Sequence, residues 1–261
     1  MGPSMRDYLD FITETAYLAG KVTLAHFQTD LTAEIKMDGS PVTIADRSAE
    51  ELIRKRIEQR FPEHTIVGEE FGEQHVQKST HSWYIDPIDG TRSFIRGVPL
   101  YAVLIGLEIE GRVEAGAAYF PALNEMVAAA SGEGCWWNGR AARVSQISQL
   151  NQGVAAFTSV GRYPEEKKAA VERIIKRANY SRGWGDAYGY ALVATGRAEL
   201  MVDPIMSVWD CGPFPPILRE AGGFFGDWLG NETIHAGEAF GTSQYLLPEV
   251  LKLLHDDNII D

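Results

Sequence analysis

The sequence predicts an α/β (α+β) protein in which layers of helix and sheet alternate, built as two halves, residues 1–148 and 149–261. Three observations predict it. The chain opens with two stretches whose apolar residues recur at helical spacing. Residues 101–141 form a run of β-rich segments separated by turn signals, and from about residue 151 short β-rich segments alternate with helical ones. A chain of 261 residues is long enough to bury a substantial core, as one large domain or two tightly joined halves.

In the first half, Tyr8, Leu9, Ile12, Ala16, Ala19 and Leu24 place an amphipathic helix over residues 5–27. The pairs Asp38-Gly39 and Ser40-Pro41 then break any helix. After Asp46, the residues Ala49, Leu52, Ile53, Ile57 and Phe61 give a second helix that stops before Pro62. Thr65-Ile66-Val67 reads as a buried strand running into Gly68-Glu69-Glu70, and the polar, patternless residues 71–82 read as a mobile loop. Residues 101–110 and 112–120 make a hairpin around Gly111, residues 125–130 add a strand, and Asn138-Gly139 marks a tight turn. The sheet these strands form is expected to be largely antiparallel. In the second half, strands are expected at 154–160, 199–202, 224–228 and 240–242. Helices are expected at 164–179, 188–195, 210–221 and 247–255.

The hydrophobic content of 45% and charged content of 23% are those of an ordinary globular protein. A net charge of −12 argues against a nucleic-acid partner, which needs clustered Lys and Arg. Cys135 and Cys211 are isolated thiols without metal or redox spacing, so they read as small core residues in a reducing compartment. The N-terminus has no signal-peptide pattern, and no stretch approaches the roughly 20 apolar residues of a membrane helix. A cytoplasmic protein without a membrane partner is the expectation. None of the six histidines has metal-binding spacing.

Chemistry concentrates in three acidic clusters. Trp83-Tyr84-Ile85-Asp86-Pro87-Ile88-Asp89-Gly90-Thr91 ends an apolar run in two carboxylates and then opens a helix; Glu69 and Glu70 follow another apolar run, and Asp210 follows Trp209. Carboxylates at strand ends and helix starts suit hard divalent cations such as magnesium. The helix start at Gly90 and Thr91 adds N–H groups that favour an anion, so ions and donors together make a seat for phosphate. The bland alternative is a surface turn in which Asp89 merely caps a helix. A phosphatase motif of the haloacid dehalogenase kind, Asp-x-Asp-Gly-Thr, fits poorly, because one further residue separates Asp86 from Asp89 and that scheme gives Glu69 and Glu70 no role.

Gly68-Glu69-Glu70, the 83–91 stretch, Trp209-Asp210 and the segment from Lys36 to Asp46 together resemble the inositol monophosphatase family in order and spacing, over essentially the whole chain. The resemblance implies a layered α/β/α/β/α sandwich, commonly a homodimer, that hydrolyses small phosphorylated metabolites. It implies two or three magnesium ions. Glu69, Asp86 and the Ile88 carbonyl would hold one, and Asp86, Asp89 and Asp210 a second. A third would share Glu69. Glu70 and Thr91 would orient the attacking water with support from Asp46, while the N–H groups of Gly90 and Thr91 would bind phosphate oxygens. The expected reaction is in-line attack by metal-activated water.

The run Trp184-Gly185-Asp186-Ala187-Tyr188-Gly189-Tyr190, with Asp203-Pro204 and Asp227-Trp228, looks like the histidinol-phosphatase branch. Trp184, Gly185, Asp186 and Asp203 are then the substrate-pocket candidates, since two acids suit a cationic leaving group better than a neutral polyol. Asp186 as a helix cap and Asp203 as a turn residue is the plainer reading of those positions. Inositol, other sugar or nucleotide phosphates are the alternative substrates, and a catalytically silent phosphate-binding relative is the alternative class. One departure stands out. Where the family continues Trp-Asp-x-Ala-Ala, this chain has Asp210-Cys211-Gly212-Pro213-Phe214-Pro215-Pro216, and Pro215 and Pro216 are expected to delay or bend the helix that aims Asp210.

Overall fold

The computed structural model describes residues 2–255, the Arg162 side chain excepted. Two long helices lead, α1 (Met5–His26) and α2 (Ile44–Arg60), linked through a small hairpin of β1 (Glu34–Ile35) and β2 (Pro41–Val42). Each helix starts in a capping box, Ser4 with Asp7 and Thr43 with Asp46, which satisfies N–H groups that have no partner inside the helix. The chain continues through β3 (Thr65–Gly68), β4 (Gly72–Gln74), β5 (His81–Asp89) and the one-turn α3 (Thr91–Phe94). Next come β6 (Ala102–Ile109), β7 (Arg112–Phe120), β8 (Glu125–Ala130), β9 (Gly134–Trp137) and β10 (Arg140–Ala141). These strands form an eight-stranded sheet in the order β10-β9-β8-β7-β6-β5-β3-β4. It is antiparallel except where β3 and β5 run parallel.

The second half contains β11 (Val154–Phe157), α4 (Glu165–Arg177), β12 (Tyr180–Arg182), α5 (Asp186–Ala194), β13 (Leu200–Asp203), α6 (Val208–Cys211) and α7 (Phe214–Glu220). It closes with β14 (Gly223–Gly226), β15 (Ala239–Ser243) and α8 (Leu247–His255). Its five-stranded sheet has the order β12-β11-β13-β15-β14.

The period-2 alternation of strand side chains sorts the core into layers. On β5 and β6, Trp83, Ile85, Val103, Ile105 and Leu107 face α1 and α2, whereas Tyr84 and Leu104 point the other way, toward α5 and α7. On the second sheet, Ala156 and Met201 meet α5 and α7 from their far side, while Ala155, Leu200 and Val202 face α4 and α8. The order is therefore α1 and α2, sheet, α5 and α7, sheet, α4 and α8. This is the five-layer α/β/α/β/α sandwich expected.

Two local expectations change. Residues 71–82 are not all loop: Gly72 to Gln74 turn back as β4 and pair antiparallel with β3. The helix expected over 210–221 is two helices, broken at Gly212-Pro213, with Pro215 and Pro216 in the first turn of α7, where their missing N–H groups remove no intrahelical bond. The break is seated by glycines. Gly106 and Gly116 face each other on β6 and β7, and a Cβ on Gly106 would lie 2.4 Å from the Gly212 carbonyl carbon. One on Gly116 would lie 2.5 Å from the Pro213 Cα, so backbone rests directly on sheet.

Candidate active site

β5 is buried along most of its length, and its pairing with β6 shifts between Asp86 and Asp89. That irregularity brings both carboxylates to the same place as Asp210, and oxygens of the three lie within 4.8 Å of one another. Asp86 is 2% exposed, and its Oδ1 accepts the Ile88 N–H at 2.9 Å. The Ile88 side chain is fully buried with Ala45, Phe94 and Tyr101, which fixes the direction of its carbonyl. That carbonyl accepts the Thr91 hydroxyl at 3.0 Å, and the same hydroxyl lies 3.5 Å from Asp46 Oδ1. The other oxygen of Asp46 caps α2 through Thr43.

Asp210 owes its aim to α6. It is the third residue of that turn and accepts the Ser207 N–H at 2.8 Å in a capping box. The prolines come after this turn and leave it undisturbed. Asp89 reaches across to the second half, where its Oδ2 accepts the Ala187 N–H at 2.7 Å in the first turn of α5.

The electrostatics are those of a site short of positive charge. Burial, followed by the charges of Glu69, Asp89 and Asp210, holds Asp86 well above the carboxylate range. Asp89 is raised likewise, by burial and then by Asp186 and Asp210. Burial pushes Asp210 up to about 7 against the Ser207 bond. Glu70 is also pushed up to about 7 by burial, opposed by its bond to Lys36. The Lys36 ammonium sits between Glu69 Oε1 at 2.7 Å and Glu70 Oε1 at 2.9 Å, and these bonds outweigh burial and keep it charged.

The donor set fits a hard cation: all oxygen, mostly carboxylate, with a spread only slightly wider than the roughly 4.2 Å across an octahedral magnesium shell. Asp86, Asp89 and Asp210 are the groups that could hold such an ion, which would relieve the repulsion among them; Glu69, whose charge acts on Asp86, and the Ile88 carbonyl are not among these three.

A cleft of about 680 Å³ opens beside these groups and has Asp210, alone among them, on its wall. Ser40, Pro41, Gly90 and Thr91 line it from the first half, and Thr158, Tyr163, Gly185, Asp186, Asp203 and Asp210 from the second. Asp186 takes a left-handed backbone with φ 55°. A Cβ on Gly90 would come within 3.3 Å of Asp186 Oδ2. Asp203 is raised to about 7 by burial, opposed by the Ile205 N–H, with the charges of Asp186 and Asp210 adding to the rise. Trp184 does not share this lining; it is half-buried against the central core. A groove of about 790 Å³ beside α1 has no lining residue in common with the cleft.

Sequence reasoning assigned no role to Lys36, although it begins the Lys36 to Asp46 segment, or to Glu50. Glu50 stands one helical turn beyond Asp46 and so on the same face of α2, which is the signal that marks it.

An acidic, oxygen-donor centre where the two halves of the chain meet, beside a cleft with further carboxylates on its wall, is what a layered α/β hydrolase of phosphate esters would need. The model of the inositol monophosphatase family matches residues 4–257, and the chain belongs to that family. The chain is 46% identical over 232 residues to the histidinol-phosphatase of Chlorobaculum parvum, covering 88% of this chain and 89% of that protein. It is 34% identical to the histidinol-phosphatase of Streptomyces coelicolor over 96% of this chain and 99% of that one. Among solved structures, the extragenic suppressor protein suhB of Bartonella henselae superposes with a TM-score of 0.88 at 27% identity, covering 96% and 99% of the two chains. An inositol monophosphatase of Zymomonas mobilis gives 0.86 at 28%, covering 97% and 99%. The protein is a phosphatase.

Proposed function

We propose that the chain hydrolyses histidinol phosphate to histidinol and phosphate with two or three magnesium ions, held by Glu69, Asp86, the Ile88 carbonyl, Asp89 and Asp210. The observation that carries the substrate is the single cleft that joins Gly90, Thr91 and Asp210 to the carboxylates of Asp186 and Asp203. A phosphate seated on the first group leaves its alcohol facing the second, where a cationic amine or imidazolium is favoured over a neutral ring of hydroxyls. The relatives named histidinol-phosphatase support the same reading.

Magnesium, when bound, neutralises the phosphate dianion, acidifies water and stabilises the leaving alkoxide. The protein groups do the positioning. Gly90 and Thr91 present backbone N–H groups to the phosphate oxygens. The Glu70 carboxylate and the Thr91 hydroxyl orient the water for in-line attack, and Glu70 helps take its proton. Asp46 and the Ile88 carbonyl hold the Thr91 hydroxyl in place. Asp186 and Asp203 bind the departing alcohol. The working unit is proposed to be a cytoplasmic homodimer, and light scattering of the purified protein tests the assembly.

The deciding experiment measures phosphate release from histidinol phosphate, inositol phosphate and a nucleotide monophosphate, with and without magnesium. Histidinol phosphate should turn over fastest, and only with the ion. Equal turnover of inositol phosphate would refute the substrate, and no release from any ester would favour a silent binding protein. Asp203→Ala should narrow the preference for histidinol phosphate over inositol phosphate by about tenfold, the effect of losing one favourable charge contact. An unchanged preference removes Asp203 from the pocket.

A further inference from the structure

We propose that the buried pair Glu50–Arg54 is a positioning device that aims the Glu69 and Glu70 carboxylates by gripping the backbone of the turn that carries them. The inference rests on the reading of Glu69 and Glu70 as site residues. Glu50 is fully buried and Arg54 is 8% exposed, one turn apart on α2. The Arg54 Nε donates to Glu50 Oε1 at 2.7 Å, and its Nη2 donates to the Gly72 carbonyl. Both oxygens of Glu50 are also taken by the turn: Oε2 accepts the Glu70 N–H at 2.8 Å and Oε1 the Phe71 N–H at 3.2 Å.

The pair thus holds both sides of the bend between β3 and β4, with N–H groups on the carboxylate and a carbonyl on the guanidinium. Space is reserved for it. A Cβ on Gly68 would lie 2.0 Å from Glu50 Oε1, so only glycine at the end of β3 lets the carboxylate in. A buried ion pair gives little stability over an apolar pair of the same volume. An apolar pair could not, however, satisfy the two N–H groups of this turn. Glu50 contacts backbone and leaves the Glu69 and Glu70 side chains to face Lys36. It sets their direction without competing for what they bind.

Glu50→Gln exchanges one acceptor oxygen for an amide, so one turn N–H meets a donor. Arg54→Met removes the guanidinium, and Arg54→Lys restores its charge. The test measures magnesium binding by calorimetry without substrate, phosphate release against magnesium concentration, and melting temperature. It compares these variants with the wild type and with Ile174→Ala, a core change in the outermost helical layer. Glu50→Gln and Arg54→Met should weaken magnesium binding and raise the half-activating concentration about tenfold, with KM at saturating magnesium within about twofold. Arg54→Lys should recover part of the loss, and Ile174→Ala should melt earlier with magnesium binding unchanged. Magnesium binding at wild-type strength in Glu50→Gln and Arg54→Met, or an equal weakening in Ile174→Ala, would reduce the pair to a structural role. If Glu50→Gln does not fold, the two Arg54 variants decide the question. A wild-type protein that binds no magnesium would overturn the site reading itself.

Discussion

Removing one charge from Asp86 separates stability from catalysis. The carboxylate is buried among Glu69, Asp89 and Asp210, so without ions its charge opposes folding. Asp86→Asn should therefore melt at or above the wild-type temperature in a chelating buffer while losing turnover by more than about a hundredfold, beyond the usual cost of removing a supporting partner. Parallel melting and phosphate-release assays check both halves of that statement; near-normal turnover would remove Asp86 from the site. His64 makes a pH prediction. Trp83 Nε1–H donates to its Nδ1 at 3.0 Å, and burial, then the nearby His81, lowers it from 6.5 to about 4. The unfolded chain binds this proton at a higher pH than the folded one, so stability is present above about 6.5 and falls as pH drops toward about 4. Denaturant midpoints taken across that window should decline, and the decline should flatten in His64→Gln. At this scale the ion-site candidates were legible because carboxylates next to apolar runs stand out locally. Lys36 and the Asp89–Ala187 bond were not, because each is defined by a partner far away in the chain, and Glu50 carried only its helical register with Asp46 as a cue.

Most helices and strands with a strong period were read within a few residues, although the strand expected over 154–160 ends at Phe157, and β4 and the 210–221 helix were misread. β4 is three exposed residues that form a strand only because β3 offers an edge, a tertiary effect that leaves no pattern in Gly72-Glu73-Gln74. The split of α6 from α7 had a local cue in its prolines, but its seat did not. That seat is the glycine pair on β6 and β7, some hundred residues earlier. Gly106→Ala should push α6 off the sheet and cost about 1–3 kcal/mol in urea unfolding. Because Asp210 rides on that turn, phosphate release should fall by more than the stability loss explains. A drop in stability with kcat intact would mean that α6 shifts without disturbing Asp210.

Over the whole molecule the site is a joint. Asp86 and Asp89 come from the first half and Asp210 from the second, so a cation held by these three binds only the assembled protein. Magnesium at about a hundred times its dissociation constant should add about 2.7 kcal/mol to stability, a shift of several degrees in melting temperature. Asp210→Asn should abolish most of that shift; a full shift in that variant would show that the ion sits on the first half alone. The alternation of patterns made layers of helix and sheet in two halves legible, and the family resemblance supplied their five-layer order and the meeting of Asp210 with Asp86 and Asp89, whereas the Asp89–Ala187 bond across the halves is visible only in the folded chain. Asp89 carries a consequence for engineering. The carboxylate proposed to hold an ion also anchors the opening of α5, from which Asp186 reaches the cleft. A transplanted C-terminal half from a relative with another appetite will therefore work only if its graft keeps that one amide in place. Ester preference and ion affinity in such hybrids should rise or fail together.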